Sequence, residues 1–535
     1  MKSIRILDCT LRDGGFVNDW RFGFGSIKSI VSRLDKSGIE IIEVGFLDGK
    51  RVIDHDRTIL PDTASYAPLL NDLSISGSMI VAMIDFGSCP LSSIELSSST
   101  KIDGIRVIFK KKDQDEALAY LAEIKKKGYK IFVNPVSITG YTDDEIISLV
   151  DKINVIEPYA VSVVDTYGLM HGKDLDHYFS IFNDSLNPDI SIGYHSHNNF
   201  QLAYANSVEL TKKQLERNLI IDCSLYGMGK GAGNANTELV AMYLNENLGK
   251  KYDINQLLEA IDVDVLKELD KGKWGYSLPY YISALNDCHP DYVKHLLGKK
   301  TLAVKSVNEI LSAIPPKDKL TFNLKLVEKL YVDYQNIEYT DDTEYIRLAD
   351  DLQGRMILLL GPGTSILTDH DKILKYIIDN NPVVISINFI IDAYPIDYVF
   401  MGNSKRYSQF FHKIYGKRTG MKVICTSNIT ESTKQIDYLF DFSSLVNSPD
   451  SIRDNPLLML LKILQRCNKS EVVIAGFDGY TEKNEMNYFG EYIPLLYCQD
   501  DVLKRNQAIT DALEILSCGM RISTLTKTVY LTDTI

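Results

Sequence analysis

The segment IRILDCTLRDGG, residues 4–15, sets the pattern from which the fold of this chain is predicted. It opens with an apolar, Ile-rich run, as in a strand that is buried on both faces, and the charged pair Arg12 and Asp13 follows. Amphipathic segments of helical periodicity separate it from similar runs further along the chain. Those runs cover residues 39–46, 78–85, 104–110, 130–138, 159–166, 190–197 and 219–227.

Eight strand–helix units within about 240 residues fit a closed (β/α)8 barrel better than an open sheet. Polar residues near the ends of the predicted strands favour closure, because barrels of this type build their sites at the C-terminal face of the strands. These residues are Arg12, Asp13, Glu43, Asp85, Asn134, Asp165, His195 and His197.

The chain has 535 residues, which is too long for one ordinary core. We predict an α/β protein in three parts: the barrel over 1–240, a mostly helical extension or linker over 241–350, and an open, Rossmann-like α/β domain with a parallel sheet over 351–535. The aromatic run over 274–297 is expected to pack on the barrel, and a dimer surface is the alternative. We expect a homo-oligomer.

The composition excludes several classes of protein. A formal net charge of −13 argues against non-specific nucleic-acid binding. Eight scattered cysteines without a CxxC pair argue against a thiolate zinc site and a disulfide framework. The sequence has neither a secretory leader pattern nor an apolar stretch that could span a bilayer. We therefore expect a cytoplasmic protein with no membrane partner.

A metal site is predicted from His195 and His197. Side chains two residues apart on a strand point to the same face, so both imidazoles can reach one ion. A carboxylate would complete a site with open positions for substrate, and Asp13 is the best donor. Asn234, in the glycine-rich turn GMGKGAGNAN, could add a carbonyl oxygen or could instead cap the following helix.

Arg12 is a candidate catalytic residue because a guanidinium can stabilise the negative charge that develops on an enolate oxygen. Its alternative role is a salt bridge to Glu43 or Asp165 that holds the barrel rim.

Three motifs in this order, LDCTLRDGG, HSHNN and GMGKGAGNA, resemble the DRE-TIM metallolyase superfamily over about residues 1–290. That superfamily includes 3-hydroxy-3-methylglutaryl-CoA lyase and 4-hydroxy-2-oxovalerate aldolase. The resemblance implies that Asp13, His195 and His197 bind a divalent metal (Mn, Mg or Zn), with Asn234 as a further ligand. It also implies that Arg12 stabilises an enolate. The expected substrates are a small 2-oxo acid and an aldehyde.

The sequence departs from the family at the general base. The aldolases carry a His three residues after the metal-binding Asp, and this chain has Phe16 there. Lys230 stands where the lyase branch has a reactive Cys. His55, Tyr276 and a metal-bound water are the candidate bases. We expect Glu43, Asn134, Asp165 and Thr166 to orient the metal ligands or to contact substrate; the last two match the family segment VxDTxG.

The C-terminal part contains LLLGPGTS, a strand followed by a glycine-rich turn, which is a position where phosphate groups bind. A tight structural turn is an equal alternative. A faint resemblance to bacterial sialyltransferase-like domains implies a nucleotide or nucleotide-sugar partner. The candidate residues are Gly361, Gly363, Thr364, Ser365, Asn403 and Asp478.

The function predicted from these features is a metal-dependent C–C lyase or aldolase that works through a pyruvate-type enolate, in keto-sugar or surface-polysaccharide metabolism. One alternative is a Claisen-type acyl synthase on the same metal site. The other is a catalytically lapsed barrel that serves as scaffold for a nucleotide-binding or transferase C-terminal domain.

Overall fold

The computed structural model describes residues 3–416, 420–430, 436–481, 487–490 and 502–532. The chain divides into two compact units: one is Met1–Pro290 with Lys319–Thr321, and the other is Asp291–Asp318 with Phe322–Ile535. The helical stretch predicted over 241–350 is thus divided between the two units near residue 290. Among the described residues, no helix combines the length and the apolarity that crossing a bilayer requires.

The first unit is a closed barrel of parallel strands, as predicted. The strands follow one another around the barrel in chain order, and β1 also pairs with β2, with Leu7 opposite Ile41, which closes the ring. A two-residue strand, Ile59–Leu60, lies beside β2. The eight strands are β1 Ile4–Asp8, β2 Ile41–Leu47, β3 Met79–Asp85, β4 Gly104–Phe109, β5 Lys130–Pro135, β6 Ala160–Asp165, β7 Ser191–Ser196 and β8 Leu219–Cys223.

The barrel strands are buried on both faces, which explains their continuous apolar runs. Outward residues such as Ile42 and Ile80 pack on the helices, which are amphipathic. The α-helices of this unit are Thr10–Asp13, Gly15–Asn18, Phe24–Ser37, Ala67–Leu70, Gln114–Lys126, Asp143–Ile156, Gly172–Ser185, Ala203–Thr211, Thr237–Leu248, Ile254–Ala260 and Leu278–Leu285.

The barrel interior has an apolar layer and a charged layer. Leu7, Ile41, Phe132 and Ile220 belong to a small buried cluster that is separate from the core between strands and helices. Since side chains alternate along a strand, residues two positions further on point to the same side. The interior therefore continues towards the C-terminal ends of the strands with polar groups: Glu43 after Ile41, Asn134 after Phe132 and Asp222 after Ile220.

The second unit contains an open parallel sheet, which confirms the predicted second α/β region. Its strand order is β13–β12–β11–β10–β9–β14–β15. The strands are β9 Ile357–Leu360, β10 Val383–Ile387, β11 Tyr398–Met401, β12 Lys422–Thr426, β13 Tyr438–Phe440, β14 Glu471–Ala475 and β15 Arg521–Thr524. The later α-helices are Pro290–Gly298, Val304–Ser312, Pro316–Lys319, Leu324–Gln335, Asp342–Asp351, Ser365–Thr368, His370–Asn380, Ser404–Gly416, Phe442–Leu445, Pro456–Arg466 and Val502–Ser517.

Candidate metal centre

Three side chains that sequence analysis selected as metal ligands come together at the C-terminal end of the barrel strands. Asp13, His195 and His197 each offer one ligand atom, and these atoms lie within 4.8 Å of one another. His195 belongs to β7, and His197 follows the end of that strand. Asp13 ends the short helix Thr10–Asp13, which starts two residues after β1. The first and seventh strands thus supply the three groups.

The carboxylate of Asp13 is held in its ionised form by its neighbours. Its Oδ1 accepts a hydrogen bond from Arg12 Nη1 at 2.5 Å. Its Oδ2 accepts from Asn234 Nδ2 at 2.8 Å and from the Lys230 backbone N–H at 3.1 Å. Burial opposes ionisation, but the charge of Arg12 outweighs it and holds the pKa of Asp13 well below its ordinary value. Asp13 therefore carries a negative charge at neutral pH.

The two imidazoles are oriented differently. His195 Nδ1 lies 3.1 Å from Asp222 Oδ2, which leaves its Nε2 for a ligand. His197 Nδ1 is buried and has no hydrogen-bond partner among the described residues. Burial lowers the pKa of His197 to about 4. This imidazole is accordingly neutral at pH 7, which is the form that binds a metal ion.

A chain of buried ion pairs runs across the barrel interior from Arg12 to His195. Arg12 Nε donates to Glu43 Oε2 at 2.7 Å, and Glu43 Oε1 lies 3.1 Å from Arg106 Nη1. Arg106 Nη2 in turn pairs with Asp222 Oδ2, the oxygen that contacts His195. Burial opposes ionisation of Asp222, but Arg106 keeps the pKa of this carboxyl below its ordinary value. The salt bridge between Arg12 and Glu43, one of two roles considered for Arg12, is therefore formed.

Sequence analysis missed Arg106 and Asp222. Both are charged residues inside otherwise apolar strands, Arg106 in GIRVIF and Asp222 in LIIDC. A charge that interrupts a strand buried on both faces is the signal that could have identified them, because burying it unpaired is costly. Glu43, expected near a strand end, is the third residue of β2, which has seven residues.

Asn234 contacts Asp13 through its Nδ2 atom, and its Oδ1 is buried without a hydrogen-bond partner in the described part of the chain. The glycine-rich turn that carries it passes close to the ligands. A Cβ atom at Gly229 would lie 2.7 Å from Asp13 Oδ2, so only glycine fits there without displacing the ligand. Asn236, not Asn234, immediately precedes the helix Thr237–Leu248. The helix-capping alternative for Asn234 is therefore not what the structure shows.

Aromatic residues and one lysine lie beside the ligands. The Phe16 ring packs against Trp20 and Phe46, with centroid distances of 4.8 and 6.1 Å. Lys230 Nζ lies 5.1 Å from the centre of the same ring. Trp20 Nε1 donates to the Arg12 carbonyl oxygen at 2.8 Å, which ties this aromatic group to the catalytic arginine candidate. Phe16 thus packs against two aromatic rings and makes a cation–π contact with Lys230.

The two side chains named as candidate bases lie in loops. His55 is in the turn between β2 and the short strand Ile59–Leu60. Tyr276 is 60% exposed, and its ring lies 6.3 Å from that of Tyr281. Within the described residues, neither makes a hydrogen bond to the three ligand side chains. A direct role for either stays a prediction.

Asp165, Thr166 and Asn134 lie at the ends of β6 and β5. Asp165 accepts hydrogen bonds from the backbone N–H groups of Leu169 and Met170, and burial raises its pKa to about 7. Thr166 Oγ1 accepts from the Ser137 backbone N–H at 2.7 Å. Asn134 Oδ1 is buried, and no described residue donates to it. The first two residues hold the loops after β6 and β5, and Asn134 retains an unused acceptor.

The glycine-rich turn of the second unit is closed by Asp478. This carboxylate accepts from Thr364 Oγ1 at 2.9 Å, from the Ser365 backbone N–H at 2.8 Å and from Ser365 Oγ. Cβ atoms at Gly361 and Gly363 would lie 2.5 and 2.6 Å from the carbonyl oxygen of Gly476, so the glycines permit two loops to touch. The geometry is therefore that of a structural turn. The Asp478 carboxylate occupies the position that was considered for a phosphate group.

The residues present fit a divalent cation. One carboxylate and two imidazoles within 4.8 Å of one another form an N2O donor set. The hydrogen bond from His195 to Asp222 is the usual support of a metal-binding imidazole. His197 Nδ1 and Asn234 Oδ1 are buried, and no described residue hydrogen-bonds to either, which is unfavourable unless another group binds there.

A family model described as HMGL-like matches residues 3–263. These residues form an HMGL-like domain. The predicted relationship to the DRE-TIM superfamily is thereby confirmed for the barrel. Because the match ends at residue 263, it does not extend to the second unit.

Known relatives of the HMGL-like domain include a 4-hydroxy-2-oxovalerate aldolase from Geobacillus genomosp. 3, which is 25% identical over 49% of this chain and 76% of its own length. An oxaloacetate decarboxylase from Mycobacterium tuberculosis is 24% identical over 49% of this chain and 76% of its own length. Among solved structures, HMG-CoA lyase from Brucella melitensis is similar with 17% identity and a TM-score of 0.39, covering 49% of this chain and 96% of that one.

Proposed function

We propose that the HMGL-like domain is a divalent-metal-dependent aldolase or lyase that forms or breaks a C–C bond next to a 2-oxo acid, through its enolate. The observation that carries this proposal is the convergence of Asp13, His195 and His197, with Arg12 bound to Asp13. The relatives named above support the reaction class, because they include an aldolase and a decarboxylase of 2-oxo acids.

Asp13, His195 and His197 would hold the ion. Asn234 Oδ1 would supply a further oxygen ligand. A bound divalent cation would supply Lewis-acid stabilisation of a 2-oxo acid and of its enolate. We propose Mn, Mg or Zn as the metal. The mixed nitrogen and oxygen donor set is compatible with each of them.

Arg12 is held in place for an oxygen of the substrate. Its Nε is bound to Glu43 and its Nη1 to Asp13, which fixes the plane of the guanidinium. Its Nη2 has no hydrogen-bond partner in the described part of the protein. A guanidinium has five N–H donors in a rigid arrangement, so the free ones can bind the negative oxygen of an enolate without reorganising. Arg12 would thus stabilise the charge that develops when the C–C bond breaks.

Proton transfer to and from the substrate needs a further group, since Phe16 has no titratable atom. We propose His55, Tyr276 or a water molecule for this step. A setting in keto-sugar or surface-polysaccharide metabolism, a Claisen-type synthase and a lapsed scaffold barrel all stay predictions.

The direct test is pyruvate release by the purified full-length protein. We expect pyruvate from 4-hydroxy-2-oxovalerate or from oxaloacetate in the presence of Mn²⁺, loss of activity after chelation, and recovery when Mn²⁺ is restored. His195→Ala should remove both bound metal and turnover. The matched control is His177→Ala, because His177 is exposed and pairs with Asp143. Full activity of His195→Ala, or a protein without metal affinity, would refute the proposal.

A further inference from the structure

The second unit contains a crevice that is partly open to solvent. Its walls come from the loops that follow β9, β10, β11 and β14. β9 is flanked by β10 on one side and β14 on the other, so the chain order reverses at this strand. In open α/β sheets, ligands bind at such a reversal, outside the carboxyl ends of the strands.

Three buried asparagines line this crevice, and each has a fixed orientation. Asn388 Oδ1 accepts from the Gly402 backbone N–H at 2.8 Å, Asn403 Oδ1 from that of Arg406 at 2.9 Å, and Asn455 Oδ1 from that of Leu458 at 3.2 Å. The three residues are 7%, 3% and 9% exposed. Each carbonyl oxygen thus accepts from a backbone N–H group, and the Nδ2 of each amide is a donor that another group can use.

No described residue accepts a hydrogen bond from these three Nδ2 atoms. They come from three different segments, at the ends of β10 and β11 and before the helix Pro456–Arg466. Three amide donors from residues that line one crevice suit a ligand with several acceptor oxygens.

The crevice lining includes one cationic side chain. Arg406 lines it, is 3% exposed, and donates from Nη1 to Gln409 at 2.8 Å. The acidic residue among the lining side chains is Asp478, and both of its oxygens already accept hydrogen bonds from Thr364 and Ser365. The lining thus combines one guanidinium and three amide donors with a carboxylate that is already satisfied.

Aromatic rings form another part of the lining. Phe477, Tyr480, Tyr488 and Tyr530 all line the crevice. The Arg406 guanidinium lies 5.5 Å from the centre of the Tyr488 ring, so the cationic and aromatic parts adjoin each other. Aromatic side chains bind flat, apolar ring systems by stacking. The ligand should therefore carry a planar ring close to its anionic group.

We propose that this crevice binds a nucleotide, with its phosphate at Asn388, Asn403, Asn455 and Arg406 and its base against the aromatic residues. The phosphate is placed at the asparagines and not at the turn GPGTS, where Asp478 occupies the N–H groups. The proposal is independent of the reaction proposed for the barrel.

The test is titration calorimetry of the full-length protein with CMP, UMP, AMP and GMP, and with the corresponding nucleosides. We expect one or more of the nucleotides to bind, at least about tenfold more tightly than its nucleoside, because charge-assisted hydrogen bonds are the stronger ones. Absence of binding by all four nucleotides would overturn the proposal. Equal affinity for nucleotide and nucleoside would overturn the placement of the phosphate.

Asn403→Asp tests the placement directly. The carboxylate can still accept from the Arg406 N–H, but it replaces the Nδ2 donor by a negative oxygen. We expect affinity for the nucleotide to fall by about tenfold or more. Asn388→Asp makes the same change on another loop, should the first variant not fold. Asn468→Asp, at an exposed position outside the lining, is the control and should bind normally. Unchanged affinity in both crevice variants would refute the assignment.

Discussion

His195 Nδ1 lies 3.1 Å from Asp222 Oδ2 in the barrel interior, and the same oxygen is paired with Arg106 Nη2. In the neutral imidazole, this contact places the proton on Nδ1 and leaves the lone pair of Nε2 for a metal ion. The nitrogen that would bind the metal is thus selected by a residue on β8, the strand next to β7.

Asp222→Asn should weaken metal binding. The amide keeps the size of the side chain but removes the negative charge that makes His195 a better ligand. We expect the affinity for Mn²⁺, measured by equilibrium dialysis, to fall by about 10–100-fold. Asp151→Asn is the control, because Asp151 is exposed on the helix Asp143–Ile156. Equal Mn²⁺ affinity of Asp222→Asn and the native protein would show that Asp222 does not support the ligand.

Arg106→Met should destabilise the barrel. Arg106 is fully buried between Glu43 and Asp222, so its removal leaves the buried Asp222 carboxylate without its arginine and leaves Glu43 with Arg12 alone. We expect the free energy of unfolding to fall by about 3–5 kcal/mol, measured by urea denaturation. Arg33→Met breaks a pair with the largely exposed Glu259 and should cost no more than about 1 kcal/mol. A similar small cost for both variants would contradict the importance of the buried network.

Asp8→Asn should change how stability depends on pH. Asp8 is buried, and burial raises its pKa to about 6, although it accepts hydrogen bonds from Thr237 Oγ1 and the Thr10 N–H. Its folded pKa is above its unfolded value, so its contribution to stability is complete below about pH 4 and is lost as the pH rises through 6.

An asparagine can accept from the Thr10 N–H through Oδ1 and donate from Nδ2 to Thr237 Oγ1, so it keeps both contacts without this loss. Relative to the native protein, Asp8→Asn should therefore gain stability between pH 4 and 7, by about 1–3 kcal/mol. Urea unfolding at several pH values gives the difference, and Asp151→Asn, at an exposed position, is the matched control. A constant difference for Asp8→Asn would contradict the raised pKa.

Phe16→His should introduce a titratable group at the barrel mouth. Lys230 lies 5.1 Å from the ring centre, and its positive charge should lower the pKa of an imidazole there below its usual value of about 6.5. We expect the pH profile of kcat/KM to gain a limb below pH 6.5. Phe16→Leu is the control without a titratable atom. Identical pH profiles of the two variants would show that the position does not take part in proton transfer.

Much of the barrel could be predicted because its signals are local. All eight strands overlap the apolar runs, with β2 ending one residue beyond its run. Asp13, His195 and His197 meet because barrel closure brings strands one and seven to one mouth. The pairing of Arg106 with Asp222 could not be predicted from local patterns, since the two residues are 116 positions apart. It follows only from the register of a closed barrel.

The second unit also contains a long-range contact that local sequence patterns could not predict. Its strands were recognisable, but the partner of the turn at Thr364 and Ser365 is Asp478, more than a hundred residues later. A glycine-rich turn looks the same in sequence whether its N–H groups bind a phosphate or a carboxylate of the chain. Only the folded arrangement shows which of these occupies it.

The buried ion pairs of the barrel also determine the net charge around the metal site. Three carboxylates, Asp13, Glu43 and Asp222, oppose two guanidinium groups, Arg12 and Arg106, so this network of ion pairs carries one uncompensated negative charge. A dication would reverse that excess to a single positive charge, and a monoanionic 2-oxo acid would then cancel it. The network would thus become neutral when both the cation and the 2-oxo acid are bound. This favours binding of the cation before the acid.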